Sequence, residues 1–162
     1  MCAPPRLKTN LREITSFHEA CLMMGCTAGT RVVAAGVTRA DETTRRKLGL
    51  ETDEMVEIVR LRMADDLPVM LETNRFAMKH AGLLQADMNG SLYHLFSKQG
   101  IEAASGVHEI SLCYANGQQA RLLEVEAGAA LLQLEQVIYD QHGLPLHTSH
   151  QVIRGDRFTF RI

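Results

Sequence analysis

The alternation of apolar and polar residues over 55–76 predicts a β-hairpin. The segment reads MVEIVRLRMADDLPVMLETNRF, and a three-residue loop at 65–67 keeps apolar residues opposite each other along both strands. A two-residue loop would shift the pairing by one position and set apolar against polar residues, so the three-residue loop is favoured. The predicted cross-strand pairs on the apolar face are Ala64 with Pro68, Met63 with Val69, Leu61 with Leu71, and Val59 with Thr73.

The other face of this hairpin carries charge. The same register sets Arg60 opposite Glu72 and Arg62 opposite Met70, which leaves one positive charge uncompensated. An exposed Arg–Glu pair is worth only about 0.2–1 kcal/mol and is often surface decoration. Val56 and Ile58 lie on the same face, however, so we expect it to be half-buried. Because arginine binds carboxylates and phosphates through two parallel hydrogen bonds, this face indicates an anion site.

Short helices and further strands are predicted around the hairpin. Ser16, Asp41 and Ser91 are helix-capping residues, and Glu19 completes a capping box with Ser16. The predicted helices cover about 17–24, 42–48, 92–99 and 117–124. The predicted strands cover 30–37, 108–114, 131–139, 144–154 and 158–162, and 131–154 forms a second long hairpin.

A faint internal repeat relates residues 41–76 to 117–152. Each copy has a short polar helix, a Leu-x-Leu or Leu-x-Val step, and a hairpin whose turn contains Asp and Pro. Two related long hairpins predict an α+β fold: an antiparallel sheet with short helices packed on one side. A duplicated unit also places a binding site naturally between the copies.

Composition narrows the class of protein. The 162 residues suit one domain with a real core, and the net charge of −2 gives no electrostatic footprint for nucleic acid. The chain has neither an apolar run long enough for a membrane nor a secretion-signal pattern, so we expect a cytoplasmic address. No Gly-rich phosphate loop or nucleophile–base motif is found, and no cofactor is predicted.

Cysteine and histidine spacing gives no metal site. Cys21 and Cys26 are five positions apart, which is not a CxxC spacing, and buried reduced thiols are expected. His147 and His150 have an odd spacing that places them on opposite faces of a strand. A zinc site is therefore not predicted.

The order of several segments resembles the UTRA domain, the effector-sensing part of HutC-type regulators in the GntR superfamily of bacterial transcription factors. The matching segments are ITSF, VRLRMADDLPVMLE, GSLYHLF and RGDRFTF, which together span nearly the whole chain. The resemblance implies a chorismate-lyase-like fold and a homodimer that binds a small anionic metabolite. It also implies that residues 1–15 are the linker from a missing winged-helix domain, through which alone DNA is bound, and that 16–162 form the ligand-binding domain.

Site residues follow from the same resemblance. The family positions that contact sugar-phosphate effectors correspond here to Arg60, Arg62, Glu72, Ser91, Tyr93 and His18. The helix starts at Ser16 and Ser91 would add backbone N–H groups to such an anion site. Many relatives have Glu-Tyr-Ser where this chain has His147, Thr148 and Ser149, and often Tyr where it has Ile153. These departures fall where the non-anionic part of the ligand would be recognised. His147 is a further candidate contact.

Three functions are therefore open at this point. The first is a non-catalytic ligand sensor that modulates DNA binding by an upstream domain. The second is a chorismate-lyase-like enzyme acting on a carboxylated small molecule. The apparent linker before residue 16 argues against it, because a free-standing enzyme does not need a linker. The third is a dimerisation module with a vestigial pocket.

Overall fold

The computed structural model describes residues 7–10 and 16–161. Within these residues, eight strands form: β1 (Leu7–Asn10), β2 (Ala28–Arg39), β3 (Glu54–Ala64), β4 (Leu67–Phe76), β5 (Ala103–Tyr114), β6 (Ala130–Asp140), β7 (Pro145–Ile153) and β8 (Phe158–Arg161). The same residues contain four α-helices: α1 (Phe17–Met23), α2 (Glu42–Leu48), α3 (Leu92–Ser97) and α4 (Gly117–Leu123). A 3-10 helix covers Met78–Gln85.

The predicted helix starts are confirmed. Ser16 and Glu19 form the expected capping box at the start of α1. The side chains of Asp41 and Ser91 accept hydrogen bonds from the first turns of α2 and α3, which satisfies backbone donors that the helix itself leaves free.

The α+β fold class with two related hairpins is also confirmed. In the described residues the main sheet has six strands in the order β2-β3-β4-β7-β6-β5, and β1 pairs in parallel with β8 in a separate small sheet. The repeat extends to a strand, a helix and a hairpin in each half: β2-α2-β3-β4 and β5-α4-β6-β7. The halves meet where β4 pairs with β7, and each helix crosses to the other half, α2 onto β7 and α4 onto β4.

The turn of the first hairpin was predicted wrongly, although most of its register was right. Arg60 lies opposite Glu72 and Leu61 opposite Leu71 as expected, but Met63 pairs with Pro68. The loop has two residues, Asp65 and Asp66, both with positive φ (49° and 64°), as tight hairpin turns require. An extra residue on β4, Val69, forms a bulge that restores the register beyond it.

Helices cover both faces of the main sheet, not one face as predicted. We call the face that carries Arg60 and Arg62 the arginine face; α1, α3 and the 3-10 helix pack on it through clusters that include Met70, Ile58 and Phe76. On the opposite face, α4 packs against Leu61 and its neighbours. Both faces have helices because β3 alternates apolar residues on each of them.

The predicted linker lies largely outside the described residues. Residues 1–6 and 11–15 are not described, and Leu7–Asn10 between them form β1 against β8. The domain boundary at residue 16 stays a prediction. None of the helices in the described part of the chain is long and apolar enough to cross a membrane.

Candidate anion-binding site

Two buried arginines and one buried glutamate form the centre of the site. Arg60, Arg62 and Glu72 are 3%, 2% and 5% exposed, far less than the half-buried face that was predicted. Both guanidinium groups donate to the same oxygen, Glu72 Oε1: Arg60 through Nε at 2.8 Å and through Nη2, and Arg62 through Nη1 at 3.0 Å. The cluster therefore keeps one net positive charge inside the protein.

The ionisation of Glu72 is secured by the arginines. Burial by itself would raise the pKa of this carboxyl, but the charges and hydrogen bonds of Arg60 and Arg62 outweigh it and lower the pKa to about 2. Burial lowers the pKa of Arg60, and the carboxylate opposes that effect. Glu72 is thus a carboxylate at neutral pH, and it holds two cations side by side.

Arg60 has a structural role within this cluster. Besides Glu72, its Nη1 donates to the backbone carbonyls of Met88 at 2.9 Å and Gly90 at 2.8 Å. These carbonyls belong to the loop that leads into α3. Arg60 therefore holds the start of α3 against the arginine face, and every nitrogen of its guanidinium is engaged.

Arg62 is different, because most of its guanidinium is unpaired. Its Nε and Nη2 are buried and have no hydrogen-bond partner among the described residues, while its Cζ lies 4.8 Å above the ring of Phe17 at the start of α1. Buried donors without partners are rare in folded proteins and cost roughly 1–3 kcal/mol each. Such donors on a buried cation indicate a place for an acceptor that the described residues do not supply.

Other unpaired polar atoms belong to residues on the two elements that adjoin Arg62, namely β2 and α1. Among the described residues, five buried side-chain N or O atoms lack a partner, and four of them belong to Arg62, Thr30 and His18. Thr30 lies directly opposite Arg62 in the β2–β3 pairing, and His18 follows Phe17. Thr30 could not be identified as a site residue from the sequence, because its position depends on how β2 pairs with the hairpin.

Tyr93 and His147 form a second polar pair on this face. The Tyr93 hydroxyl lies 3.0 Å from His147 Nε2, and His147 Nδ1 lies 3.2 Å from the Thr148 carbonyl, so Nδ1 carries the proton and Nε2 accepts. Burial lowers the pKa of His147 to about 4 and raises the pKa of Tyr93, and Glu72 raises that of Tyr93 further. Both side chains are neutral at pH 7.

Two more buried polar residues lie on this face, and the sequence reasoning missed one of them, Asn74. Asn74 and Ser149 are 3% and 4% exposed and lie opposite each other where β4 meets β7. Gln151, opposite Glu72, donates to Ser149 Oγ at 3.2 Å. A polar surface therefore extends from Glu72 across the junction of the two halves. The signal for it, alternate polar residues on β4 and β7, was present but could be read only with the register known.

The predicted site residues are brought together to different degrees. Arg60, Arg62 and Glu72 are in direct contact, and Tyr93 contacts His147. Ser91 caps α3 through a bond from His94 N at 3.4 Å and adjoins the site through Gly90. Of the departures from the family pattern, His147 faces the site and Thr148 faces away, while Ile153 is buried beneath α1. Ser149, which matches the family, also faces the site. Since α1 and α3 have only seven and six residues, side chains rather than helix dipoles dominate here.

No group of three metal-binding side chains occurs in the part of the chain that the structure describes. His147 and His150 lie on opposite faces of β7, as predicted from their spacing.

A separate open cleft of about 170 Å³ lies on the face opposite Arg60 and Arg62, and its lining includes Lys47 and Arg75. Arg75 is already paired there, with Glu57 at 2.9 Å.

The fold is thus a duplicated α+β sheet with a buried cationic cluster on β3 and β4, beside the junction of its halves. The chain belongs to the UTRA domain family, whose sequence profile matches residues 23–159. The predicted resemblance is thereby confirmed.

Individual relatives are transcriptional regulators. The HTH-type transcriptional repressor NagR of Bacillus subtilis (strain 168) is 28% identical over 159 residues, an alignment that covers 96% of this chain and 65% of NagR. The HTH-type transcriptional regulator YurK of the same organism is 21% identical over 98% of this chain and 67% of its own length. The chain thus spans about two thirds of these relatives.

Solved structures agree with the fold. The crystal structure of PhnF from Mycobacterium smegmatis superposes with a TM-score of 0.91 at 29% identity, covering 97% of this chain and 71% of PhnF. The effector domain of PhnF alone gives a TM-score of 0.88 at 29% identity, with 95% and 96% of the two chains covered.

Proposed function

We propose that this chain is the effector-sensing domain of a HutC-type transcriptional regulator of the GntR family, and that it binds a small metabolite through a phosphate or carboxylate group. The observation that carries the proposal is the buried guanidinium of Arg62, with Nε and Nη2 unpaired. An anionic oxygen pair is the natural partner for these two donors. Thr30 Oγ1 and His18 Nδ1 would serve further oxygens of the same group.

The rest of the ligand would lie along the polar surface toward β7. Glu72 has one oxygen, Oε1, saturated by three arginine nitrogens, which leaves Oε2 to accept from a hydroxyl or amino group. Tyr93, His147 and Asn74 would complete this part. Because His147 is neutral, we expect it to recognise polar, uncharged parts of the ligand.

The burial of Arg62 suggests how ligand binding could be signalled to the rest of the regulator. At 2% exposure, Arg62 is reached only if a covering group moves, and the ring of Phe17 stacks on it. Phe17 is the first residue of α1, so binding would shift the end of α1 that faces the N-terminal segment. The winged-helix domain predicted upstream of the linker at residues 1–15 would receive that shift, and it alone would contact DNA. We propose a cytoplasmic location for such a regulator.

Binding can be tested by thermal unfolding in the presence of inorganic phosphate, sugar phosphates, amino acids and dicarboxylates. We expect a saturable rise in Tm with at least one anion, because a ligand that binds only the folded state stabilises it. The rise should be absent in Arg62→Met and kept in Arg75→Met, which removes a cation from the opposite face. No response to any anion, or equal responses in the two variants, would contradict the assignment.

The catalytic alternative has a direct assay. The named relatives are regulators, which supports binding without catalysis. Incubation with chorismate followed by measurement of pyruvate tests the lyase-type reaction, and we expect no release above the uncatalysed rate.

We further propose that the domain forms a homodimer through β5. This strand is an edge of the main sheet, and Ile110, Leu112 and Tyr114 are 42%, 59% and 66% exposed on one of its faces. An antiparallel pairing of two β5 strands about Ile110 would set Leu112 against His108 and Tyr114 against Gly106 of the second copy. No like charges would meet, because Glu109 would lie opposite Ser111. The exposed backbone of a twelve-residue edge strand would thereby be covered.

The dimer proposal is tested by the mass in solution. Light scattering should give twice the mass of the chain for the parent protein and a monomer for Leu112→Lys. Leu144→Lys is the matched control, since Leu144 is similarly exposed (55%) but lies outside the strand. A monomeric parent protein, or equal dissociation in both variants, would contradict the proposal.

A further inference from the structure

The end of α1 brings two cysteines together. Gly25, with φ 71°, ends the helix in a Schellman motif: Cys26 N–H donates to the Cys21 carbonyl at 3.0 Å and Gly25 N–H to the Leu22 carbonyl at 3.2 Å. In this motif the residue after the glycine packs against the residue five positions earlier. Here both of these residues are cysteines, and Cys26 Sγ lies 3.5 Å from the Cys21 carbonyl oxygen. A spacing that excludes a CxxC site thus still produces a close pair.

The two thiols have different surroundings. Cys21 is fully buried in a cluster with Phe17, Met70 and Ile153. Burial, followed by the hydrogen bond with Cys26, raises the pKa of the Cys21 thiol to about 12. Cys26 is partly exposed. A reagent from solution would therefore meet Cys26 first, with Cys21 next to it to complete a reaction.

We propose that Cys21 and Cys26 form a peroxide-sensitive dithiol, and that its closure into a disulfide weakens the anion site. Cys26 sulfur attacks a hydroperoxide oxygen, the O–O bond breaks, and a sulfenic acid and one molecule of water (or alcohol) result. Cys21 sulfur then attacks the sulfenic sulfur, an S–S bond forms, the S–O bond breaks, and the Cys21 proton leaves with the hydroxide as water. Overall, two thiols are oxidised and one hydroperoxide is reduced.

The link to the anion site is the shared face of α1. Cys21 lies one helical turn after Phe17, and residues four apart share a face of a helix. Both cysteines pack in the cluster that contains Phe17, so closing the disulfide would repack the neighbours of Phe17 beneath Arg62. This second half of the inference rests on the proposed function; the disulfide itself does not.

Thiol counting tests the disulfide. A background of Cys2→Ser with Cys113→Ser keeps Cys21 and Cys26 and is treated with hydrogen peroxide, then denatured and tagged with N-ethylmaleimide for mass measurement. Both tags should be lost after peroxide and recovered after dithiothreitol. In the same background with Cys26→Ser, the buried Cys21 should keep its tag. Retention of both tags in the two-cysteine protein, or loss of the Cys21 tag without Cys26, would overturn the proposal.

Phosphate binding tests the coupling. We expect the oxidised two-cysteine protein to bind inorganic phosphate roughly tenfold more weakly than the reduced protein, which corresponds to about 1.4 kcal/mol. Equal affinity of the two forms would overturn the coupling. The reduced protein separates the two proposals, because its failure to bind any anion would remove the proposed function while the thiol count still decides the disulfide.

Discussion

The hairpin β3–β4 contains two cross-strand Arg–Glu pairs that differ in almost everything except their chemistry. Arg60 faces Glu72 on the arginine face, and both side chains are almost fully buried. Arg75 faces Glu57 on the opposite face, where their side chains are 31% and 29% exposed. In sequence the two pairs are equivalent: an arginine and a glutamate in register on neighbouring strands.

The difference between the pairs shows that the environment, not the pairing, decides the role of the charges. Exposed pairs gain little, because water already stabilises each charge. A buried pair has lost that water, so each charge depends on its partner, and a third charge such as Arg62 needs a partner from elsewhere. The buried pair can therefore hold a ligand-binding cation in place, whereas the exposed pair can be removed at small cost.

The largest expected effect comes from Glu72→Gln. Two buried guanidinium groups would lose their only carboxylate, and breaking a buried pair costs about 3–5 kcal/mol of unfolding free energy. The matched change Glu57→Gln should cost less than about 1 kcal/mol. Urea unfolding of both variants measures the contrast, and similar losses would mean that the two pairs do not differ as described.

The next largest expected effect is the loss of folding stability in acid, to which buried Glu72 contributes. The folded-state pKa of Glu72, about 2, lies below its usual 4.5, so its stabilisation is present above pH 4.5 and is lost as pH falls toward 2. His147, at about 4 against its usual 6.5, acts in the same direction between pH 6.5 and 4. Each group contributes roughly 3 kcal/mol over its window.

The free energy of unfolding, measured from pH 7 to 3, should fall throughout this range. The His147→Gln variant should show a smaller pH dependence between pH 6.5 and 4 and an unchanged one below pH 4. A His147→Gln profile parallel to that of the parent protein between pH 6.5 and 4 would contradict this account.

The two arginines of the cluster should differ from each other. Arg60→Met loses bonds to Glu72, Met88 and Gly90, whereas Arg62→Met loses one bond and removes two unpaired donors. We expect Arg60→Met to be less stable than Arg62→Met by about 1–3 kcal/mol. Chemical denaturation gives the order, and the reverse order would show that the structural and ligand-binding roles have been exchanged.

The smallest expected effect is that of Arg75→Met. Its partly exposed pair should contribute less than about 1 kcal/mol, and this contribution should shrink further in 1 M salt, where charges are screened within roughly 3 Å. Thermal unfolding at low and high salt measures both values. A large loss that salt leaves unchanged would mean that this pair, too, is effectively buried.

Much of the hairpin could be predicted because its pattern is local. The apolar positions along β3 and β4 are sufficient to set Arg60 opposite Glu72. The turn was missed because a two-residue loop followed by a bulge at Val69 gives, beyond the bulge, the same pairs as a three-residue loop. Alternation alone does not distinguish the two.

The depth of the site could not be predicted from the same pattern. Arg60 is buried by a loop 28 residues further along the chain, and Arg62 is covered by Phe17 from a helix before β2. Arg75 has a similar local sequence and no such cover. Long-range packing of this kind decides burial, and it also decided that Thr30 and Asn74 face the site.

The most direct test is to locate a bound anion in a crystal of the protein grown or soaked with selenate, whose selenium is identified by its anomalous signal. Selenate oxygens are expected about 2.7–2.9 Å from Arg62 Nε and Nη2, with Phe17 displaced from its present position. An anomalous peak beside Arg75 or Lys47, with Arg62 Nε and Nη2 still unpaired, would contradict the central claim.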